Sequence, residues 1–272
     1  MSVASIVSPA EAPTLSSFTL AGRVIIVTGG GSGLGAVMAR AIVASGGSLA
    51  IADINPTAGS AVASGIKDEF PTAVVSVHSV DVASEESVRQ CVASVVDRHG
   101  KVDGLVTSAG FVENFPAEEY PVERMRKLWG VNVDGTYIFA TEVARWMMQA
   151  GIKGSMVFIG SMSGSIVNVP QPQTPYNASK AAVRHMASSL AVEWAPKGIR
   201  VNCISPGYMR TALTEKILLA KPELKKPWVD LTPMQRMGNP VDLEGPVTFL
   251  LSDAARYVTG ADLRVDGGYS IV

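Results

Sequence analysis

Cysteine is scarce in this sequence: only Cys91 and Cys203 occur among its 272 residues, far apart and each without a second cysteine nearby. This pattern fits neither a disulfide framework nor a cysteine metal site. We therefore expect both thiols to be reduced core residues of a cytoplasmic protein. The three histidines, His185 among them, have no partners at the spacing of metal ligands or of a catalytic pair, so no metal is expected.

Charge is scarce as well. Charged residues make up 17% of the chain and the formal net charge is -1. No basic surplus points to nucleic acid, and no block of lysine or arginine points to an anionic lipid surface. No apolar run approaches the roughly 20 residues needed to span a bilayer. These absences predict neither nucleic-acid nor membrane binding.

The first twenty residues lack lysine and arginine altogether, so a transit peptide or a secretory signal is a poor interpretation. They are rich in serine, alanine and proline, and we interpret residues 1–20 as a flexible arm. Apolar residues make up 47% of the chain, enough for a large core, and no linker or repeat divides the remainder. We predict that residues 21–272 form a single domain.

Glycine, by contrast, is concentrated at one informative place. The apolar run at 24–27 is typical of a buried parallel strand, and a glycine-rich loop and a helical pattern at 36–44 follow it. A glycine cluster alone is often a simple turn, but between a strand and a helix it forms a phosphate cradle, because the free N–H groups of a helix N-terminus receive an anion. The residues assigned here to cofactor binding are Thr28, Gly29, Ser32, Gly33, Leu34 and Gly35.

Two acidic strand ends extend this cofactor site. The second predicted strand, 48–53, ends on Asp53, about twenty residues past the glycine loop. A carboxylate there accepts both ribose hydroxyls of the adenosine and repels a 2′-phosphate, which favours NAD, with NADP as the alternative if the loop from Ile54 turns the acid away. A plain strand-end cap is the other interpretation of Asp53. The third strand, 74–80, ends at Asp81-Val82, where a second carboxylate could reach the adenine.

Strands and helices alternate along the chain, which predicts an α/β fold with a parallel, doubly wound sheet. The segment at about 208–234 follows no single period, and we interpret it as a lid over the substrate. The other predicted elements are helices at 57–69, 84–99, 125–149, 181–196 and 242–251, and strands at 105–110, 151–159, 200–205 and 262–265.

Tyr176 and Lys180 are four residues apart at the opening of a helical run, so their side chains lie on one face. A positive charge beside a phenol favours the phenolate and lowers the tyrosine pKa from ~10 towards the working pH. The pair is therefore a candidate acid and base. The same spacing also arises by chance in many proteins, so its meaning depends on the cofactor site.

Together these motifs resemble the short-chain dehydrogenase/reductase family, over essentially everything from Phe18 to the end. The matching pieces are Thr28-Gly29-x-x-x-Gly33-x-Gly35, Asp81-Val82, Ala109-Gly110, Asn132, Ser161, Tyr176-x-x-x-Lys180, Pro206-Gly207 with Thr211, and Val265-Asp266-Gly267-Gly268. The resemblance implies a Rossmann sheet of seven strands in the order 3-2-1-4-5-6-7 with helices on both faces. It also implies NAD(P)-dependent interconversion of a secondary alcohol and a ketone, by a homodimer or homotetramer.

The resemblance further implies roles for four residues. Tyr176 would exchange the proton with the substrate oxygen, while Lys180 would lower the pKa of that phenol and hold the nicotinamide ribose. Ser161 would hydrogen-bond the carbonyl and steady the oxyanion, and Asn132 would hold a water in a proton relay behind Lys180. The cofactor contacts implied in the same way are Ser108, Ala109, Gly110, Tyr176, Lys180, Pro206, Gly207, Met209 and Thr211.

Two departures from the family pattern stand out. The spacing from Ser161 to Tyr176 is two residues longer than the commonest one, which Ser163 would satisfy. We prefer Ser161, because Gly164 follows it at the expected place, and keep Ser163 as the alternative. Thr107 stands where the family often has asparagine, so one structural hydrogen bond of the analogy is in doubt.

The loop between Ser161 and Tyr176 must line part of the substrate pocket. Its amides, Asn168, Gln171 and Gln173, offer donors and acceptors that suit a chain of hydroxyls, although they could instead tie the loop to itself. This stretch is similar to sugar-alcohol dehydrogenases of the family and favours a polyol or ketose substrate. Residues that favour a more apolar ketone of secondary metabolism are Phe111, Val112, Phe115, Met209 and Met237.

A catalytically silent nucleotide-binding regulator on the same fold is the competing class of function. Such a protein has no need to keep Asn132, Ser161, Tyr176 and Lys180 together. The intact set therefore favours an enzyme.

Overall fold

The computed structural model describes residues 15–272, apart from the side chain of Leu213, and across that range the strands form one seven-stranded parallel sheet. Its spatial order, β3-β2-β1-β4-β5-β6-β7, confirms the predicted doubly wound α/β fold. The strands are β1 (Val24–Thr28), β2 (Ser48–Asp53), β3 (Val75–Ser79), β4 (Gly104–Thr107), β5 (Ser155–Ile159), β6 (Arg200–Pro206) and β7 (Asp262–Val265).

Helices connect the strands and cover both faces of the sheet. They are α1 (Gly33–Ala44), α2 (Pro56–Glu69), α3 (Glu85–His99), α4 (Val122–Trp129), α5 (Gly135–Ala150), α6 (Thr174–Trp194), α7 (Ala212–Ala220), α8 (Lys225–Asp230) and α9 (Glu244–Leu251). The ends of α3 follow the sequence signals, because the Ser84 side chain accepts a hydrogen bond from the Ser87 N–H and Gly100 adopts a left-handed conformation.

The core consists of two apolar layers separated by the sheet. Ile26 packs with Phe139 of α5 on one face, whereas its neighbour Ile25 packs with Met38 of α1 and Leu251 of α9 on the other. Successive strand side chains point to opposite faces, so a strand covered on both sides needs apolar residues throughout. All five residues of β1 are accordingly buried. This rigid centre sets the position of the loops at the carboxyl ends of the strands.

The prediction of one continuous α-helix over 125–149 is wrong, because the helix is interrupted near its start. A π-helical turn, Gly130–Asp134, joins α4 to α5 and carries Asn132. Asn132 is only 1% exposed, and its main-chain carbonyl accepts a hydrogen bond from the Thr136 hydroxyl at 2.9 Å. Insertions of this kind in a helix recur at functional sites.

Other boundaries differ for local reasons. β5 begins at Ser155 and not at 151, because Gly151 has a φ of 67° and ends α5. β4 ends at Thr107, so the residues that follow it leave the sheet. The segment at 208–234 contains α7 and α8, and its residues Leu224 and Trp228 form a small apolar cluster with Met237, which follows it.

Residues 1–14 of the predicted arm lie outside the described residues. Within the rest of it, Ser16–Phe18 forms one 3₁₀ turn and Leu20 is fully buried. Cys91 and Cys203 are buried free thiols, as expected, and burial raises the pKa of each to about 12. Within residues 15–272, no helix combines the length and the apolar character that crossing a bilayer requires.

Candidate active site

A cavity of about 640 Å³ opens at the carboxyl ends of the strands. Parallel α/β sheets bind ligands at this edge, because the βα loops and helix N-termini meet there. Thr28 and Asn132 lie behind its wall. The other residues assigned to the site from sequence all line it, namely Gly29, Ser32, Gly33, Leu34, Gly35, Asp53, Ile54, Asp81, Val82, Ser108, Ala109, Gly110, Ser161, Tyr176, Lys180, Pro206, Gly207, Met209 and Thr211.

One side of the cavity, the cofactor wall, is lined by residues 29, 32–35, 53–54, 81–82 and 108–110, and the buried residues 28, 30 and 31 complete its loop behind them. It is built largely from backbone packed on backbone. A Cβ on Gly29 would lie 2.8 Å from the Ala109 Cα, and one on Gly35 would lie 2.2 Å from the Gly29 carbonyl oxygen. The Thr28 hydroxyl accepts hydrogen bonds from the N–H groups of Ser108 and Ala109 at 3.1 and 3.2 Å. These contacts leave no room for side chains and hold β1, β4 and α1 together.

Helix α1 presents its N-terminus to this wall. Ser32 is the N-cap residue, and within the described part of the chain its hydroxyl makes no capping hydrogen bond, unlike Ser84 at the start of α3. The first N–H groups of a helix need an acceptor. A phosphate supplies one, and the helix dipole favours its charge.

Asp53 closes the same wall at the end of β2. Its carboxylate accepts hydrogen bonds from the N–H groups of Gly31 and Asn55, each at 2.9 Å. A Cβ on Gly31 would lie 2.8 Å from a carboxylate oxygen of Asp53, so only glycine permits this approach. An open glycine cradle, an uncapped helix start and an anchored carboxylate are the features that an adenine dinucleotide requires, and the residues present therefore fit one.

Tyr176 and Lys180 lie together on the first turns of α6, as their spacing predicts. The Lys180 ammonium donates a hydrogen bond to the Ile159 carbonyl at 2.8 Å and lies 5.8 Å from the centre of the Tyr176 ring. Burial lowers the pKa of Lys180 to about 8. Removal from water makes the ammonium less favourable, which outweighs the opposing electrostatic effect of Cys203.

The expected effect of Lys180 on Tyr176 is wrong for the protein alone. Burial raises the pKa of the Tyr176 phenol, while the Ser161 hydroxyl acts in the opposite direction. The desolvated phenolate is unfavourable, and the lysine side chain is directed to Ile159 rather than to the phenol oxygen. In this structure desolvation therefore decides the direction of the Tyr176 pKa.

Asn132 supports the floor of the site from behind Lys180. Its amide oxygen accepts a hydrogen bond from the Phe111 N–H at 3.1 Å, and its amide nitrogen donates to the Phe111 carbonyl and to the Ser179 hydroxyl. The side chain thus holds the turn after β4 against α6. The predicted water relay through Asn132 stays a prediction.

The two candidate serines lie side by side at the end of β5. The Ser161 hydroxyl donates to the Ser163 hydroxyl at 3.0 Å and accepts from the Ser163 N–H at 3.1 Å. Only Ser161 influences the titration of the Tyr176 phenol. This placement favours Ser161 as the residue that contacts the substrate oxygen, with Ser163 as its neighbour.

On the opposite side of the cavity, the substrate wall, the lining residues come from the segments 161–173 and 207–228. Side chains tie its two segments together. Asn168 donates to the Tyr208 hydroxyl at 3.0 Å, and Gln171, in the amide orientation that satisfies both its ends, accepts from that hydroxyl and from the Trp228 indole N–H. Tyr208 also stacks on Trp228 with ring centres 4.2 Å apart. The amides therefore line the cavity but also bond within the wall.

Sequence reasoning missed Tyr208 and Trp228 as lining residues, and it placed Phe115 and Met237 near the substrate. Among the residues described, neither Phe115 nor Met237 lines the cavity. Phe115 instead packs against Tyr120. An aromatic residue directly after Pro206-Gly207 was the available signal for Tyr208, whereas Trp228 lies in a segment without a clear period.

Comparison with known proteins agrees with this geometry. A family model described as enoyl-(acyl carrier protein) reductase matches residues 29–270. A D-arabinitol 2-dehydrogenase [ribulose-forming] from Candida tropicalis is 42% identical over 265 residues, which cover 93% of this chain and 94% of the relative. The chain belongs to the short-chain dehydrogenase/reductase family. It is therefore an oxidoreductase that acts on CH–OH groups, and its cofactor is a nicotinamide dinucleotide.

Two further members of the family are similar over nearly their full length. An NADH-dependent L-xylulose reductase from Ambrosiozyma monospora is 38% identical, with 93% of this chain and 97% of the relative covered. The crystal structure of a gluconate 5-dehydrogenase from Burkholderia cenocepacia, in complex with NADP and tartrate, has a TM-score of 0.88 and 31% identity, with 94% of this chain and 98% of that chain covered. The first is described as NADH-dependent and the second contains NADP, so membership of the family does not decide between NAD and NADP.

Proposed function

We propose that the protein interconverts a polyol and the corresponding ketose, with NAD as the hydride carrier. The observation that carries this proposal is the placement of the Ser161 and Tyr176 hydroxyls at a cavity wall rich in amide side chains. Amides hydrogen-bond hydroxyl groups in either direction, which suits a chain of CH–OH units. The names of the Candida and Ambrosiozyma relatives, a polyol dehydrogenase and a ketose reductase, support the same substrate class.

Each residue of the site has its own role in the proposed reaction. When bound, the nicotinamide supplies a hydride to the carbonyl carbon or accepts one from the carbinol carbon. In the direction of reduction, the Tyr176 hydroxyl transfers its proton to the carbonyl oxygen, and the Ser161 hydroxyl stabilises the developing negative charge. Lys180, whose ammonium lies 5.8 Å from the centre of the Tyr176 ring, would favour the phenolate that remains and would bind the nicotinamide ribose.

A substrate panel tests the proposal. The purified protein is assayed with five- and six-carbon ketoses, their polyols, and cyclic and aryl ketones, by absorbance of the reduced cofactor. We expect turnover of at least one ketose and its polyol. A site that hydrogen-bonds hydroxyls should disfavour analogues without them by several orders of magnitude. Rapid reduction of an apolar ketone without turnover of any ketose or polyol would overturn the substrate assignment and leave the oxidoreductase assignment intact.

The competing substrate class, an apolar ketone of secondary metabolism, rests on the apolar part of the same cavity. Phe111, Val112 and Met209 line it as the sequence suggested, and Met162 and Ile217 join them. Phe115 and Met237 do not contribute. The apolar part of the lining is therefore made of partly different residues from those the sequence suggested, and the amide side chains beside Ser161 and Tyr176 put this substrate class second.

The preference for NAD rests on Asp53. Its carboxylate is anchored to the Gly31 N–H at the end of β2, where a 2′-phosphate on the adenosine ribose would meet a like charge. Asp53→Ser removes a like charge from the 2′-phosphate and should raise the ratio of the kcat/KM values for NADP and NAD by about tenfold or more. A tenfold change corresponds to about 1.4 kcal/mol. Asp81→Ser, at the neighbouring strand end, is the matched control and should affect both cofactors alike. Equal efficiency of the unmodified protein with both cofactors would contradict the assignment.

We also propose that residues 21–272 act as a single cytoplasmic domain and that the segment at 208–234 closes over the substrate.

We further propose that the protein is a homodimer or homotetramer. The support for assembly is the exposed apolar surface of Tyr137 and Met148 on α5 and of Val192 on α6. Light scattering at micromolar concentration checks the assembly. A monomer would contradict it.

A further inference from the structure

Gln173 occupies a particular place in the cavity. It is the residue that precedes α6, three positions before Tyr176, and it lines the cavity although the side chain is only 7% exposed. A substrate whose carbonyl oxygen reaches Tyr176 therefore enters the cavity that this amide also lines. The mechanism proposed above gives Gln173 no role.

Hydrogen bonds fix which way the Gln173 amide points. Its nitrogen donates to the amide oxygens of Asn168 at 2.9 Å and of Asn177 at 2.8 Å, and it lies 3.4 Å from the Ser163 hydroxyl. The Asn168 amide is oriented in turn, because its nitrogen donates to Tyr208. Turning the Gln173 amide over would place its oxygen against two other oxygens. The orientation is thus set by a chain of bonds that ends at Trp228.

As a consequence, the amide oxygen of Gln173 is a hydrogen-bond acceptor to which no described residue donates. Both hydrogens of the Gln173 amide nitrogen are used within the wall, whereas its amide oxygen, Oε1, accepts no hydrogen bond from the residues described and is not among the fully enclosed polar atoms that lack a partner. Oε1 is therefore open to the cavity. When a ligand covers a nearly buried acceptor without supplying a donor, the complex is destabilised by the cost of leaving that acceptor unpaired.

We propose that Gln173 Oε1 accepts a hydrogen bond from a substrate hydroxyl on a carbon next to the reacting carbon, and that this residue determines the selectivity for hydroxylated ketones. The inference rests on the proposed polyol and ketose function and deepens it. A hydroxyl donates where a methylene cannot, so the oxygen favours a ketose over a deoxyketose. The link through Ser163 to Ser161 positions this contact relative to the substrate oxygen.

The test compares D-ribulose with its 1-deoxy and 3-deoxy analogues, as ratios of kcat/KM. In the unmodified protein we expect D-ribulose to be favoured over at least one deoxy analogue by about tenfold to a hundredfold, the effect of one buried acceptor left unsatisfied. Gln173→Met, of similar size and without an acceptor, should bring that ratio close to one.

Two further measurements keep the outcome interpretable. Asn177→Ser removes a partner of the same amide nitrogen but leaves Oε1 in place, so its ratio should stay within about threefold of the unmodified protein. Equilibrium binding of D-arabinitol and its deoxy analogues to Tyr176→Phe, with and without Gln173→Met, should show the same selectivity without turnover.

The results separate failure of this inference from failure of the proposed function. Equal losses for D-ribulose and both analogues in Gln173→Met would reduce Gln173 to a structural role and overturn the inference, while the ketose activity stands. Absence of any ketose turnover by the unmodified protein would overturn the proposed function, and this inference with it.

Discussion

The two walls of the cavity are built in different ways. The cofactor wall depends on main chain: glycines at Gly29, Gly31 and Gly35 allow approaches that no side chain permits, and backbone N–H groups remain for the ligand. The substrate wall depends on side chains, with Asn168 and Tyr208 bonded across two distant segments. Main-chain packing tolerates few sequences, whereas a side-chain network can be rebuilt by substitution. The same cofactor site can therefore serve different substrates.

The largest effect is expected at Tyr176, which lies between the walls. Tyr176→Phe removes the transferable proton and leaves the ring, so turnover should fall about 1,000-fold. The dissociation constant of NADH, measured by fluorescence, should change little, because the cofactor wall is untouched. Retention of most of the turnover would refute the proton-donor role. A parallel loss of NADH affinity would show that the two walls are not independent.

A second comparison distinguishes the two serines. Ser161→Ala should lower kcat by about 100-fold or more, as expected for loss of a donor to a developing oxyanion. Ser163→Ala is the matched control, since it removes the neighbouring hydroxyl 3.0 Å away. We expect it to lower kcat by less than about tenfold, through looser positioning of Ser161. The reverse order of effects would move the catalytic role to Ser163.

Stability tests the main-chain character of the cofactor wall. A Cβ at Gly35 would meet the Gly29 carbonyl, so Gly35→Ala should destabilise the protein by about 1–3 kcal/mol and abolish tight NADH binding. Gly65→Ala is the control within α2, where a Cβ meets nothing within 4 Å and alanine should stabilise by up to about 1 kcal/mol. Chemical denaturation and NADH titration measure both. Equal behaviour of the two variants would contradict the assignment.

The smallest effect concerns the buried ammonium at the boundary of the walls. Burial lowers the pKa of Lys180 from 10.5 to about 8, so between these values the unfolded chain binds a proton that the folded chain has lost. This lysine therefore disfavours the folded state below about pH 8, and the penalty is relieved as the pH rises towards 10.5.

Lys180→Met removes this titration. Without cofactor, its Tm near pH 7 should exceed that of the unmodified protein by a few degrees, since about 1 kcal/mol corresponds to about 2–4 °C in proteins of this size. The difference should shrink as the pH is raised. The exposed Lys197→Met is the control and should show no such trend. A difference in Tm independent of pH would contradict the sign derived for Lys180.

Sequence patterns were sufficient to predict those features of the structure that depend on residues close together in the chain. The run before Gly29 predicted β1, the spacing of Tyr176 and Lys180 predicted one helix face, and Ser84 and Gly100 marked the ends of α3. They were insufficient around Asn132, because the π turn packs against α6 and the Asn132 side chain bonds to Ser179, contacts between segments that are distant in sequence.

The sequence by itself determined the α/β architecture, the order of its elements, the glycine cradle and the candidate residues for the chemistry, because the periodicities of strands and helices and the conformational freedom of glycine are local properties. The tertiary structure decided the rest. Burial, not the neighbouring charge, sets the pKa directions of Tyr176 and Lys180, and Asn168 meets Tyr208 across forty residues of chain. Desolvation and side-chain pairing depend on which distant segments come together, and only the folded chain specifies that.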